Sequence, residues 1–245
     1  MLNYFTYNGI SSQNYQTFLS GAGAFELPRR DVSKVEIPGR NGDLIIDNER
    51  YENVKINYPI IIMNDFETNK RALVHELSKN IGYQRLEDTF NPNHFRMANF
   101  EGISKSKTTP FYDAGSFVIE FDCKPQLYLK SGEESIEIQS SDIIENPTYE
   151  IALPIIKITG IGGFRINNDY FNLLSNTGVT IVDCEAKEVY EGTINRNDDF
   201  ERHNNELPKL YVGENEVVCD NGVSLEIIPR WWTIWYLFYW TNKKV

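Results

Sequence analysis

At 245 residues the chain is long enough for one large domain or two ordinary ones, and 41% hydrophobic residues supply a core in either case. Against 35 Asp+Glu there are only 24 Lys+Arg, a formal net charge of -11, which argues against a broad basic face for wrapping DNA or binding anionic lipid. Cys123, Cys184 and Cys219 are widely separated and odd in number, so they do not read as a disulfide framework; they fit as small apolar residues on strands.

The N-terminal "MLNYFTYNGISSQNYQTF" lacks the charged start, apolar stretch and small-residue cleavage site of a secretory signal, and folding in a cytoplasm is expected. In "KVEIPGRNGDLIID", Asn41-Gly42 stands between two apolar-rich runs and predicts a hairpin around Gly39 to Asp43, closed by a type I′ turn. The β-branched run Asn53 to Met63 reads as a strand buried on both faces. A helix follows, with Asn64 or Asp65 as cap and Glu67 in its first turn. Leu73, Val74, Leu77 and Ile81 share its packed face, and Gly82 stops it.

Phe117, Ile119, Phe121 and Cys123 alternate with Val118, Glu120 and Asp122, as on a strand with one dry face that Pro125 ends. The polar stretch "KSGEESIEIQSSDIIENPTYE" has the composition of a domain boundary. Beyond it, short strands recur between Gly, Asn and Asp turns, with hairpin turns expected at Asn167-Asn168 and Asn221-Gly222. The expected fold is therefore mainly β with one main helix: an α+β domain over 1–135 and an all-β sandwich over 136–245.

Residue patterns for chemistry are sparse. His75, His94 and His203 show no metal-ligand spacing, and "TGIGGFR" lacks the Lys-Ser/Thr and the following helix of a phosphate loop, so it reads as a turn or bulge. Asn197, Asp198, Asp199 and Glu201 lack the offsets of a calcium loop. Asp183 and Glu185 fall on one side of a strand, as a glycosidase pair does, with nothing to set up a general acid. No catalytic, cofactor-binding or metal-binding residues are assigned, and no enzyme is expected.

The closing "IIPRWWTIWYLFYWTNKKV" contains four tryptophans, yet its apolar run from Trp231 to Trp240 is half the ~20 residues a membrane helix needs. Membrane insertion is not expected.

Four separated motifs carry a resemblance: "RDVSKVEIPGRNGDLIIDNERYENV", "YQRLEDTFNPNHFRMA", "FVIEFDCKPQLYLKSGE" and "PKLYVGENEV" with "VSLEIIPRWW". Together, over residues 1 to 232, the chain resembles the distal tail proteins (Dit) of siphophages that infect Gram-positive bacteria. The resemblance implies a ring, usually six-fold, at the virion tail tip. Its partners would be the tail-tube protein, the tail-associated fibre or lysin protein and a receptor-binding protein, without cofactors or stable nucleic-acid binding. It also implies an N-terminal, tail-tube-like β-sandwich with a flanking helix and a C-terminal galectin-like β-sandwich.

In that setting the hairpin residues Val35, Ile37, Arg40, Asn41 and Leu44 are candidates for a ring interface, although the hairpin equally completes its own subunit's sheet. Tyr170, Phe171 and Tyr190 are candidate partner or glycan contacts by residue type. Trp235 and Trp240 pack within the subunit or form an aromatic contact patch. An acidic ring lumen would keep passing DNA from adhering. Two function classes stay open: a structural ring and assembly hub, or a monomeric carbohydrate-binding adhesion module.

Overall fold

Period-two alternation of buried and exposed side chains governs most of this chain. The computed structural model accordingly consists of antiparallel strands with one α-helix among the described residues, which are 2–22, 24–25, 27–109 and 113–234. Two compact units form, Met1–Leu127 and Tyr128–Thr233, and each has its own apolar core.

The first unit contains β1 (Phe5–Tyr7), β2 (Ile10–Ser11), β3 (Thr17–Leu19), β4 (Ala24–Phe25), β5 (Arg30–Val35), β6 (Leu44–Tyr51), β7 (Val54–Ile62), α1 (Phe66–Leu77), β8 (Gln84–Asp88), β9 (His94–Thr109) and β10 (Ala114–Cys123). One sheet runs β2-β1-β8-β9-β10-β7-β3, with β4 also on β7. Phe5 on β1 and Tyr58 on β7 lie several strands apart along this path, yet their rings stack at 5.9 Å. The sheet is therefore rolled over on itself, and its ends meet where the Leu19 amide donates to the Asn3 carbonyl. Phe121 sits inside the roll, against Phe5, Tyr7, Tyr58 and Phe100.

Phe117, Ile119, Phe121 and Cys123 form the dry face of β10 as the alternation predicts. Strand β7 differs from expectation. Only its odd side (Val54, Ile56, Tyr58, Ile60, Ile62 by position along the strand) is buried, while Lys55 and Asn57 face solvent, so it is a one-sided strand. The helix also ends sooner than predicted. Ser78 turns its hydroxyl onto the Val74 carbonyl and closes α1 at Leu77, leaving Ile81 98% exposed. Its packed face is Phe66, Leu73 and Leu77, and Asp65 holds the cap position without a side-chain cap bond.

The second unit is a two-sheet sandwich. The chain enters through β11 (Leu127–Leu129), then a 3-10 turn Lys130–Glu133, β12 (Ile136–Ile138) and β13 (Ser141–Asn146). The polar stretch read as a boundary thus carries two strands, in which Ile138 and Ile144 bury inward while Glu137, Ser141 and Glu145 face out. There follow β14 (Ile155–Thr159), β15 (Gly162–Ile166), β16 (Asp169–Leu173), β17 (Val179–Asp183), β18 (Glu188–Glu191), β19 (Ile194–Asn195), β20 (Phe200–Arg202), β21 (Gly213–Cys219), β22 (Ser224–Ile228) and β23 (Trp232–Thr233).

One sheet runs β12-β22-β14-β17-β18-β19 and the other β13-β21-β15-β16-β20. Ile156, Val182 and Ile227 from the first share a core with Phe164, Phe171 and Val217 from the second. Asn167-Asn168 is a two-residue hairpin turn between Ile166 and Asp169, as expected. Asn221-Gly222 is a turn but not a hairpin, since β21 and β22 belong to different sheets.

Candidate functional site

The ribbon β5–β6 is the least covered element of the first unit. It pairs with itself alone, Val35 opposite Leu44, Lys34 opposite Ile45 and Ser33 opposite Ile46. Its closing loop differs from the expected type I′ turn. The Arg40 amide donates to the Ile37 carbonyl across Pro38-Gly39, and Gly39 takes φ +80°, the type II pattern that Pro-Gly favours. Asn41 keeps a negative φ, which rules out a type I′ turn there.

Polar bonds at the ribbon's base stiffen it. The Arg30 guanidinium grips Asp47 and lies over the Tyr51 ring, while Asn48 and Arg50 both reach Asp31. Those bonds hold the Asp31 and Asp47 carboxyls below the usual carboxylate range: the Asn48 and Arg50 side chains for Asp31, the Arg30 guanidinium for Asp47. Beyond the base, Val35, Leu44, Ile45 and Ile46 are 44%, 41%, 63% and 48% exposed. Ile37, Arg40 and Asn41 are exposed in the loop. All five predicted interface residues therefore gather at one end of one ribbon.

The predicted contact aromatics do not gather. Tyr170 is exposed on the outer face of β16, its ring laid over Gly163 and its hydroxyl 3.0 Å from Asp220 Oδ2. Phe171, its neighbour, is 2% exposed and stacks on Phe164 and Phe200, so it cannot meet a partner or a glycan. The cause is the strand period: with Tyr170 outward, Phe171 must point inward. Tyr190 is half-buried on β18, in the other sheet. Trp235 and Trp240 lie outside the described residues. Trp231 belongs to the core of the second unit, and Trp232 donates from Nε1 to the Ile151 carbonyl.

The carboxylate pair differs from expectation: Asp183 ends β17 while Glu185 lies in the turn after it, and Arg230 faces both. Its two terminal nitrogens bond the two Asp183 oxygens at 2.7 and 3.0 Å, and Glu185 accepts from the Tyr128 hydroxyl. Burial pushes the Asp183 carboxyl up, yet the Arg230 bonds and the Ala186 and Glu185 amides outweigh it and hold it low. Arg230 has φ +57° at the end of the strand run. No local sequence signal joined it to residues 47 positions away.

Among the described residues no three His, Cys, Asp or Glu side chains converge to hold a metal ion, and no helix is long and apolar enough to cross a membrane. No protein-family model and no curated protein matches the chain. Solved structures do. The crystal structure of the Dit protein of phage SPP1, described as a paradigm of the hub adsorption apparatus in Gram-positive infecting phages, superposes with a TM-score of 0.69. That match spans 93% of this chain and 98% of the SPP1 protein at 14% identity.

The chain has the Dit fold.

Chains of the phage P2 baseplate in its activated conformation, with Ca and with Sr, align over the same 93% at 10% identity, with TM-scores of 0.49 and 0.48. In the Dit fold as this chain builds it, the rolled N-terminal sheet leaves the β5–β6 ribbon uncovered, and the sandwich unit presents Tyr170 on its outer face.

Proposed function

We propose that this protein is a structural component of a phage tail tip, a distal tail protein whose N-terminal unit closes into a ring of six. In this reading the ring joins the tail-tube protein to the fibre or lysin protein, and the second unit, a galectin-like sandwich, serves as a scaffold for host-adsorption proteins. The observation that carries it is the β5–β6 ribbon. An isolated two-stranded ribbon is marginal in water, and this one exposes Val35, Leu44, Ile45 and Ile46, so a neighbouring copy is the natural cover. A heterologous contact of that kind closes into a ring when the rotation allows.

Light scattering coupled to size exclusion tests this across concentration. The expected species has six times the chain mass, and the pair I45K/I46E shifts it to monomer while the thermal midpoint stays within a few degrees. A wild-type chain that stays monomeric both alone and with the tail-tube protein would overturn the ring.

A second reading, a monomeric carbohydrate-binding adhesion module, is favoured by the exposed Tyr170 ring held by Asp220. It predicts saturable binding of cell-wall glycans that Y170A abolishes, by a protein that stays monomeric.

A further inference from the structure

The sandwich unit contains an open, polar depression of about 400 Å3 lined by Lys187, Asn197, Asp198, Phe200, Arg202 and Asn205. Three segments build it: the turn between β17 and β18, the 3-10 turn Asn197–Asp199 with β20 after it, and the 3-10 turn His203–Asn205. Asn197 ties them together. Its Oδ1 accepts from the Val189 amide at 3.1 Å and from Arg202 Nη2 at 3.0 Å, which fixes the guanidinium at the depression.

The charge balance of Arg202 is unusual for its unit. Arg165, Arg196 and Arg230, the other arginines of the unit, each pair with a carboxylate. Arg202 forms no ion pair among the described residues, and its Nε is buried without a hydrogen-bond partner. Lys187, exposed across the depression, has no ion-pair partner among the described residues either. Asp198 is the one acidic side chain of the lining, and it is exposed to water. The guanidinium that lines the depression carries a charge with no carboxylate beside it, and an incoming oxyanion supplies the countercharge.

We propose that this depression binds a phosphate group, with Arg202 and Lys187 as its charged donors and the Asn205 amide as a neutral one. A guanidinium presents paired N–H donors that match two phosphate oxygens, and a lysine beside it adds a point charge. The volume exceeds that of one phosphate ion, which leaves room for flanking groups of a phosphodiester chain along the Phe200 wall. The site does not depend on the ring reading.

Titration calorimetry on the full chain at low ionic strength tests it, with inorganic phosphate, a glycerol phosphodiester polymer, and sodium chloride as the ionic-strength control. Saturable binding of both phosphate compounds is expected, with no saturation in chloride. Tighter binding of the polymer would identify the diester as the ligand, and equal binding the free anion. R202Q and K187Q should each weaken binding about tenfold, with R202K intermediate because it keeps the charge and loses the fork. Lys187 is exposed, so K187Q tests the site even if R202Q fails to fold. No saturation with either phosphate compound, or saturation unchanged in K187Q, would overturn the proposal.

Discussion

A Cβ atom built on Gly160 would stand 2.1 Å from the carbonyl oxygen of Gly222. Gly160 has φ +96° and Gly222 φ +87°, so the turn after β14 and the turn before β22 touch backbone to backbone at one end of the sandwich. Neither backbone can withdraw without moving its strand. Gly160→Ala should therefore cost about 3 kcal/mol, from strain at positive φ plus the clash. Gly163→Ala should cost only about 1 kcal/mol, because the atom it meets is the hydroxyl end of Tyr170, which swings away and gives up its Asp220 bond. Urea unfolding of the two variants checks the order; equal costs would contradict the backbone contact.

Adjacent aromatics on β16 should respond oppositely to truncation. Phe171→Ala removes the middle ring of the Phe164–Phe171–Phe200 stack and should cost about 3–5 kcal/mol. Tyr170→Ala should cost about 1 kcal/mol or less, since the ring is half exposed. A large loss in Y170A would mean that the ring is a core element rather than a surface feature.

Arg230 and Asp183 should make stability pH-dependent on the acid side. The folded carboxyl lies below its unfolded value of ~3.9, so its contribution is complete above about pH 4 and is lost as pH falls through the folded value. Arg230→Met should cost about 2 kcal/mol near neutrality, because Asp183 is left partly buried without its cation. It should also flatten the rise in urea midpoint as pH climbs from the folded value of Asp183 to about pH 4. Parallel wild-type and variant curves would show that the pair does not carry this dependence.

The three thiols should differ in reactivity. Burial pushes the Cys123 thiol up to about 12 and drives Cys184 up as well; it also raises Cys219, but that thiol is only partly buried and stays open to reagent. A thiol-reactive dye at about pH 8 should label Cys219 first, and the other two only on the timescale of unfolding. Rapid labelling of Cys123 in the folded protein would show that the rolled sheet opens.

Much of this architecture is legible in the residue order because its determinants are local. Alternation of Phe117 to Cys123 determined the dry face of β10, and Asn167-Asn168 determined a tight hairpin. Short-range patterning misled where two local options compete. Pro38-Gly39 closed the ribbon in place of Asn41-Gly42, and Ser78 ended the helix before Ile81. The polar run after Leu129 was read as a boundary because strands with one solvated face carry as much Ser and Glu as a linker.

Sequence alone determined the strand-rich class, the hairpin, the single main helix and, through four spaced motifs, the resemblance to distal tail proteins. Only the tertiary structure decided which side of each strand is covered and which charges meet. Those outcomes depend on how the sheets pack. Packing chose Phe171 rather than Tyr170 for the core, brought Arg230 to Asp183 across 47 residues, and left Arg202 without a carboxylate, choices that no window of neighbouring residues makes.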